Sequence, residues 1–178
     1  NLVVIQTPAA GTLVTGTTAI SITVSDEVNN ISTCAFDVIV EDTASPVITD
    51  CVANQSISLD ANCEAVVADY TGEITVTDNC TSTTSLIITQ SPAIGTVFSA
   101  HDTVILVTVT VEDEAGNTTS CSFDVTLLDE TFPAMSCPAD QVLSSDVSCE
   151  AVLPDYTLLG SYTDNCSVLT DLTITQSP

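Results

Sequence analysis

Apolar and polar residues alternate with a period of two along most of this chain. Ile20, Ile22 and Val24 alternate with Ser21, Thr23 and Ser25; Ile105, Val107, Val109 and Val111 alternate with Leu106, Thr108, Thr110 and Glu112; Phe123, Val125 and Leu127 alternate with Asp124, Thr126 and Leu128. Such alternation, rich in Val, Ile and Thr, is the signature of half-buried β-strands, because successive side chains of a strand point to opposite faces. No stretch carries a helical period. The pattern predicts strands near 55–59, 64–70, 85–90, 96–99, 103–112 and 119–128, with a short one at 73–77. Glu114-Ala115-Gly116-Asn117 predicts the turn of a hairpin joining the last two, with Gly and Asn supplying the unusual backbone angles.

The same pattern returns at a spacing of about 86 residues. Gln6-Thr7-Pro8 returns as Gln90-Ser91-Pro92 and Gln176-Ser177-Pro178, and Cys34-Ala35-Phe36-Asp37-Val38 returns as Cys121-Ser122-Phe123-Asp124-Val125. Cys63-Glu64-Ala65-Val66 returns as Cys149-Glu150-Ala151-Val152, and Thr77-Asp78-Asn79-Cys80 as Thr163-Asp164-Asn165-Cys166. The repeat divides the chain into the C-terminal part of one module (1–42), a complete module (43–129) and the N-terminal part of a third (130–178). An opening as apolar as Leu2-Val3-Val4-Ile5 predicts a window on a longer repetitive polypeptide. Six or seven short antiparallel strands per repeat predict an all-β chain of tandem immunoglobulin/fibronectin-III-like β-sandwich modules.

The combination Asp42-x-x-x-Pro46-x-x-x-x-Cys51, Asp78-Asn79-Cys80, Glu112-Asp113-x-Ala115-Gly116-Asn117 and Cys121-x-Phe123-x-Val125 resembles the hyalin repeat (HYR) domain, and its four-cysteine form resembles those of long surface and secreted proteins of bacteria. Two positions depart from the pattern. Cys51 lacks the following proline that Cys137-Pro138 has, and residues 26–30 read Asp-Glu-Val-Asn-Asn. The resemblance implies an immunoglobulin-like extracellular module of adhesion and matrix architecture, without a catalytic site.

Composition sharpens this. The chain has no Lys or Arg against 24 acidic residues, for a net charge of −24. A chain of this length at average usage carries on the order of 20 basic residues, so the absence excludes the electrostatic footprint of nucleic-acid binding and argues against docking on anionic lipid. The charge repels itself in the compact state, which a divalent cation would offset. Hydrophobic residues make up 44%, enough for a core, although aromatics are only 4%. No apolar run reaches the roughly 20 residues of a membrane helix.

Eight cysteines at long spacings, with no C-x-x-C pair, predict disulfides rather than zinc and hence an oxidising, extracellular or cell-surface setting. Four cysteines per module allow three connectivities. The first and last strands of an immunoglobulin-like sandwich run parallel as neighbours. This favours Cys51–Cys121, leaving Cys63–Cys80, with Cys149–Cys166 by repetition; Cys34 and Cys137 would find partners outside the sequence.

Placed on the sandwich, Glu41, Asp42, Asp50, Asp78, Asn79, Asp113 and Glu114 gather toward one end, where carboxylate and amide oxygens suit calcium. The same residues are also ordinary turn formers. Asn30, Asn54, Asn79, Asn117 and Asn165 stand in Asn-x-Ser/Thr sequons, candidate glycan sites in a secreted protein. Phe36, Phe123, Tyr70 and Tyr156 are expected in the core. The lone His101 has no nucleophile or acid at triad spacing, so no catalysis is expected. The reading that follows is a structural repeat protein of a surface fibre or stalk, partnered by copies of itself or neighbouring modules. The alternatives are an adhesin module binding a glycan or protein, and a non-catalytic spacer of a larger secreted enzyme.

Overall fold

A computed structural model describes residues 1–177; Pro178, which ends the third Gln-Ser-Pro, lies outside them. The first strands are β1 (Val3–Thr7), β2 (Thr17–Ser25) and β3 (Ile31–Ile39). Then come β4 (Val47–Asp50), β5 (Gln55–Ser58), β6 (Ala65–Val66), β7 (Thr75–Thr77), β8 (Ile87–Ser91), β9 (Val97–Phe98), β10 (Val104–Glu112) and β11 (Thr118–Leu128). The last are β12 (Ala134–Ser136) and β13 (Ser161–Thr163), followed by a single 3-10 turn at Leu169–Asp171.

Residues 43–128 form the β-sandwich. One layer is a four-stranded sheet in the order β5-β11-β10-β8, and the opposing layer is built from the two-stranded ribbons β4-β7 and β6-β9. The predicted hairpin turns at residues 113–117, where Gly116 has φ +87°, a conformation glycine adopts without steric cost. In residues 26–30, Asn29 takes the same left-handed region at φ 64°, which Asn tolerates better than most residues. β5 runs parallel to β11, with Gln55 opposite Val125.

The period-2 pattern sets the core. Val107, Val109 and Val111 are fully buried, and Phe123, Val125 and Leu127 face them from β11, whereas the alternate Leu106 is exposed. Tyr70 meets Phe123 edge to face with ring centroids 4.9 Å apart, the arrangement aromatic quadrupoles favour.

Three expectations are corrected. The strand at 64–70 shrinks to Ala65–Val66, because beyond Val67 the ladder partner is a side chain. Gln90 Oε1 accepts the Tyr70 N–H at 2.8 Å and Gln90 Nε2 donates to the Ala68 carbonyl at 2.9 Å. Gln176 does the same for Tyr156 and Pro154, which gives the repeated glutamine its structural role. Secondly, β4 was not read from the sequence. Thirdly, Phe36 is 51% exposed rather than core, since residues 1–42 supply one sheet and no opposing layer, and Tyr156 is only half-buried.

The three-stranded sheet β1-β2-β3 reproduces the order of β8-β10-β11. The registers correspond as well: Ile22 lies opposite Cys34, as Val109 lies opposite Cys121. Likewise β12-β13 places Met135 opposite Tyr162, as β4-β7 places Ile48 opposite Val76.

Candidate functional site

The hairpin turn at 113–117 marks one end of the sandwich, and the end of β11 marks the other. Eleven residues of β11 at about 3.3 Å each put these ends about 36 Å apart.

Three acidic side chains meet at the hairpin end. Asp42 enters from the linker, Asp78 from the loop after β7, and Asp113 from the hairpin turn. One carboxylate oxygen of each lies within 4.8 Å of the others. Asp113 is buried, with 2% exposure. Its Oδ1 accepts the N–H groups of Ala115 (2.9 Å) and Asn117 (2.8 Å), and its Oδ2 accepts Asn117 Nδ2 (2.8 Å). Burial pushes this carboxyl up, but the hydrogen bonds from Asn117, Ala115 and Gly116 outweigh it and hold the group below the usual carboxylate range. Asp78 Oδ1 accepts from the backbone of Cys80 (2.9 Å) and Thr81 (2.7 Å). Asp42 Oδ1 accepts from Ala44 N–H (3.1 Å), while the Asp42 carbonyl accepts Asn117 Nδ2 (3.2 Å) and so ties the linker to the hairpin. The remaining oxygens, Asp42 Oδ2 and Asp78 Oδ2, are buried without a hydrogen-bond partner.

The donor set consists of hard oxygens only. Two oxygens bound to one calcium at 2.3–2.6 Å can be no more than about 4.6–5.2 Å apart, so the observed spread fits a single ion. Two buried, unpartnered carboxylate oxygens are costly unless something neutralises them.

Of the seven candidate ligands, the structure gathers Asp42, Asp78 and Asp113. Asn79 touches the cluster as a donor, its Nδ2 lying 3.4 Å from Asp42 Oδ1. Glu41 and Glu114 are exposed and outside the cluster; Asp50 ends β4 in the opposing layer, exposed and opposite Thr75. Asn117 is expected from the sequence only as a glycan acceptor, and Thr81 not at all; neither is anticipated beside the carboxylates. Thr81 is buried and its hydroxyl accepts the Glu114 N–H at 3.2 Å, fastening the loop to the hairpin.

Cysteine placement corrects part of the predicted pairing. Cys51 and Cys121 are bonded, with Cα atoms 6.3 Å apart. Cys63 is bonded to Cys166, not to Cys80, and Cys149 remains a thiol. The reason is distance. Leu59 N–H donates to the Leu128 carbonyl, so the turn leading to Cys63 sits at the far end of β11, whereas Cys80 sits beside Asp42 at the hairpin end. Cysteines whose Cα atoms lie more than about 7 Å apart cannot bridge. The turn at Cys63 meets the loop carrying Cys166, where Asn165 Nδ2 also donates to the Asp60 carbonyl at 2.9 Å.

The sequon asparagines differ in what they do. Asn30, Asn117 and Asn165 commit their amide nitrogens to Asp26, Asp113 and Asp60, and Asn79 points its own at Asp42. Exposed Asn54 instead uses its oxygen, accepting the Asp124 N–H at 3.0 Å. His101 lies 3.3 Å from Asp102, exposed, and no nucleophile joins them among the described contacts.

Residues 41–127 match the HYR domain family, a span that opens at the linker feeding the carboxylate cluster and closes on the last core residue of β11. No curated protein matches the chain. The part of the chain similar to the HYR domain family is therefore the sandwich that carries the cluster and the Cys51–Cys121 bond.

Proposed function

We propose that this chain is a load-bearing piece of an extracellular fibre or stalk, built from HYR modules joined end to end. The family is a non-catalytic repeat family, and with the two disulfides it points to an extracellular or cell-surface setting. The observation that carries the proposal is the Cys63–Cys166 bond. It spans 103 residues and leaves the matched HYR span, fastening the far end of one sandwich to the segment that follows. Force applied along such a chain passes through a covalent bond rather than through the linker alone.

Calcium at Asp42, Asp78 and Asp113 is the second part of the proposal. Bound there, the ion would fix the linker entering the sandwich and neutralise part of the charge of −24. N-linked glycan is proposed at Asn54, which is exposed and whose amide nitrogen, unlike those of the other sequon asparagines, donates no hydrogen bond among the described residues. Electron imaging of the native extracellular material tests the fibre reading. Continuous filaments with an axial repeat of one or two modules support it; isolated flexible strings of irregular spacing overturn it.

A further inference from the structure

The two disulfides of this chain are placed differently with respect to its length. Residues 43–63 run from one end of the complete sandwich to the other. They leave the hairpin end at Asp42, whose carbonyl accepts Asn117 Nδ2 at 3.2 Å. They pass through β4 and then β5, which lies parallel to β11 with Gln55 opposite Val125 and Ser58 opposite Leu128. They finish in the turn of Cys63 at the far end, where the Leu59 N–H donates to the Leu128 carbonyl at 2.8 Å. There the route divides. Along the backbone, Cys166 is 103 positions away, beyond β6 to β13. Through the sulfurs it is the next residue, with Cα atoms 4.9 Å apart.

Both sides of that bond are stiff. Asp60 Oδ1 accepts the N–H groups of Asn62 at 2.8 Å and Glu64 at 3.0 Å, closing the turn around Cys63. Asp164 Oδ1 accepts those of Cys166 at 3.0 Å and Ser167 at 2.7 Å, closing the loop around Cys166. Asn165 Nδ2 clips loop to turn through the Asp60 carbonyl at 2.9 Å. Hydrogen bonds to an ionised acceptor are the stronger kind, so the bonded cysteines sit between two braced loops. Cys51–Cys121 stands across this route instead. Cys51 lies on it, between β4 and β5, and Cys121 lies off it, in β11.

We infer that the Cys63–Cys166 bond shunts axial tension past the main sheet, so that β8, β10 and β11 hang on the load path rather than lie in it. Tension settles on the shortest covalent route, because that route is the first to become taut. Fully extended, residues 43–63 reach about 70 Å. The fold already spreads them over the length of β11, about 36 Å. The load path through the module can therefore lengthen only about twofold, while residues 64–165 stay inside a closed loop. The same holds for tension entering anywhere from residue 43 to residue 80, since each of these residues is nearer along the chain to Cys63 than to Cys166. The inference deepens the fibre reading and rests on it for its biological role; the route itself is a property of the covalent chain.

The test is single-molecule force spectroscopy on the full chain, held by peptide handles at its two ends without reductant and with thiols capped by iodoacetamide. Cys63→Ser with Cys166→Ser moves the shortest route to the Cys51–Cys121 bond. The pulled-out length should then grow by about 33 residues, or about 115 Å. Removing both disulfides should lengthen it by about 103 residues, or about 360 Å, relative to the unaltered chain. Cys51→Ser with Cys121→Ser alone should leave the length unchanged, although it weakens the sandwich in denaturant. These lengths are read with the route fully extended, so they hold even for a variant that folds poorly. Equal lengths for the unaltered chain and the Cys63/Cys166 variant would overturn the inference, as would a longer chain on removing Cys51–Cys121 alone. The expected lengths in a chain whose native material images as isolated flexible strings would instead refute the fibre reading and leave the load path standing.

Discussion

The three-stranded sheet β1-β2-β3 and the β8-β10-β11 strands of the four-stranded sheet have the same strand order and register and very different interiors. In residues 43–128, Phe123 is 3% exposed and Val111 is fully buried; in residues 1–42, counterpart Phe36 is 51% exposed and Val24 only half-buried. Strand formation and pairing depend on alternation, turn residues and neighbouring strands, all of which both regions possess. Burial depends on a second layer. Only the complete region has it, in β4-β7, β6-β9 and the loop carrying Tyr70. The same residues therefore contribute little or much according to what faces them across roughly 10 Å.

The Cys51–Cys121 bond gives the largest lever on this comparison. It closes a loop of 70 residues, for which the chain-entropy relation gives about 4.4 kcal/mol. Cys51→Ala with Cys121→Ala should lower the stability of the complete sandwich by about that much in denaturant titration, whereas Cys34→Ala, at the counterpart of Cys121, should leave it unchanged. Equal losses would mean that the two sheets are not energetically distinct.

The phenylalanine pair comes next. Phe123→Ala removes a core ring that stacks on Tyr70 and should cost about 3–5 kcal/mol. Phe36→Ala removes the same ring from a half-exposed face and should cost less than about 1 kcal/mol for the isolated chain. The two midpoints of unfolding decide the matter. A large effect at Phe36 would mean that its face is covered in solution.

Calcium sharpens the contrast between the ends of the sandwich. At about ten times its dissociation constant, an ion that binds only the folded state adds about 1.4 kcal/mol, or roughly 5–10 °C in the melting temperature of a domain this size. Excess chelator should remove the gain, and Asp42→Asn with Asp78→Asn should abolish it. Asp50→Asn, at the residue the structure leaves out of the cluster, should not. Melting temperatures that match with calcium and with chelator would refute the site.

Much of this was legible from spacing. Alternation located β10 and β11 to within a residue or two, because each pattern is local and the period leaves one face for the core. Asp42, Asp78 and Asp113 could be gathered from sequence because each stands in a turn at the same end of the fold. Three other features were not legible, for separate reasons. Gln90 replaces a stretch of ladder with its side-chain amide, which no backbone pattern encodes. Cys63 and Cys80 lie only 17 positions apart in sequence yet at opposite ends of an eleven-residue strand, so proximity in sequence misdirected the pairing. Asn117 reads as a glycan acceptor from its triplet, and only the fold shows its amide holding Asp42 to Asp113.

The smallest effect, and the one most easily masked, is on the acid side. Hydrogen bonds from the Glu64 and Asn62 backbone hold Asp60 below the usual carboxylate range, and the Thr71 side chain and backbone do so for Asp69. Asp155, the counterpart of Asp69, is lowered in the same way by the backbone and side chain of Thr157. A carboxyl whose folded value is depressed contributes its full stabilisation above the unfolded value of about 3.9. It loses that contribution as pH falls through the folded value, because the unfolded chain takes up the proton first. Working against this, protonating any of 24 carboxylates in a chain without Lys or Arg relieves self-repulsion and favours the compact state. Salt separates the two, since the repulsion acts over distance and is screened to about 3 Å at 1 M, while a hydrogen bond inside a turn is not. Thermal unfolding at 1 M salt should therefore show stability level from pH 7 to 5 and falling below pH 4. At 20 mM salt the same chain should pass through a maximum between pH 4 and 5. Stability that keeps rising to pH 3 at 1 M salt would show that these turns gain nothing from their charged form.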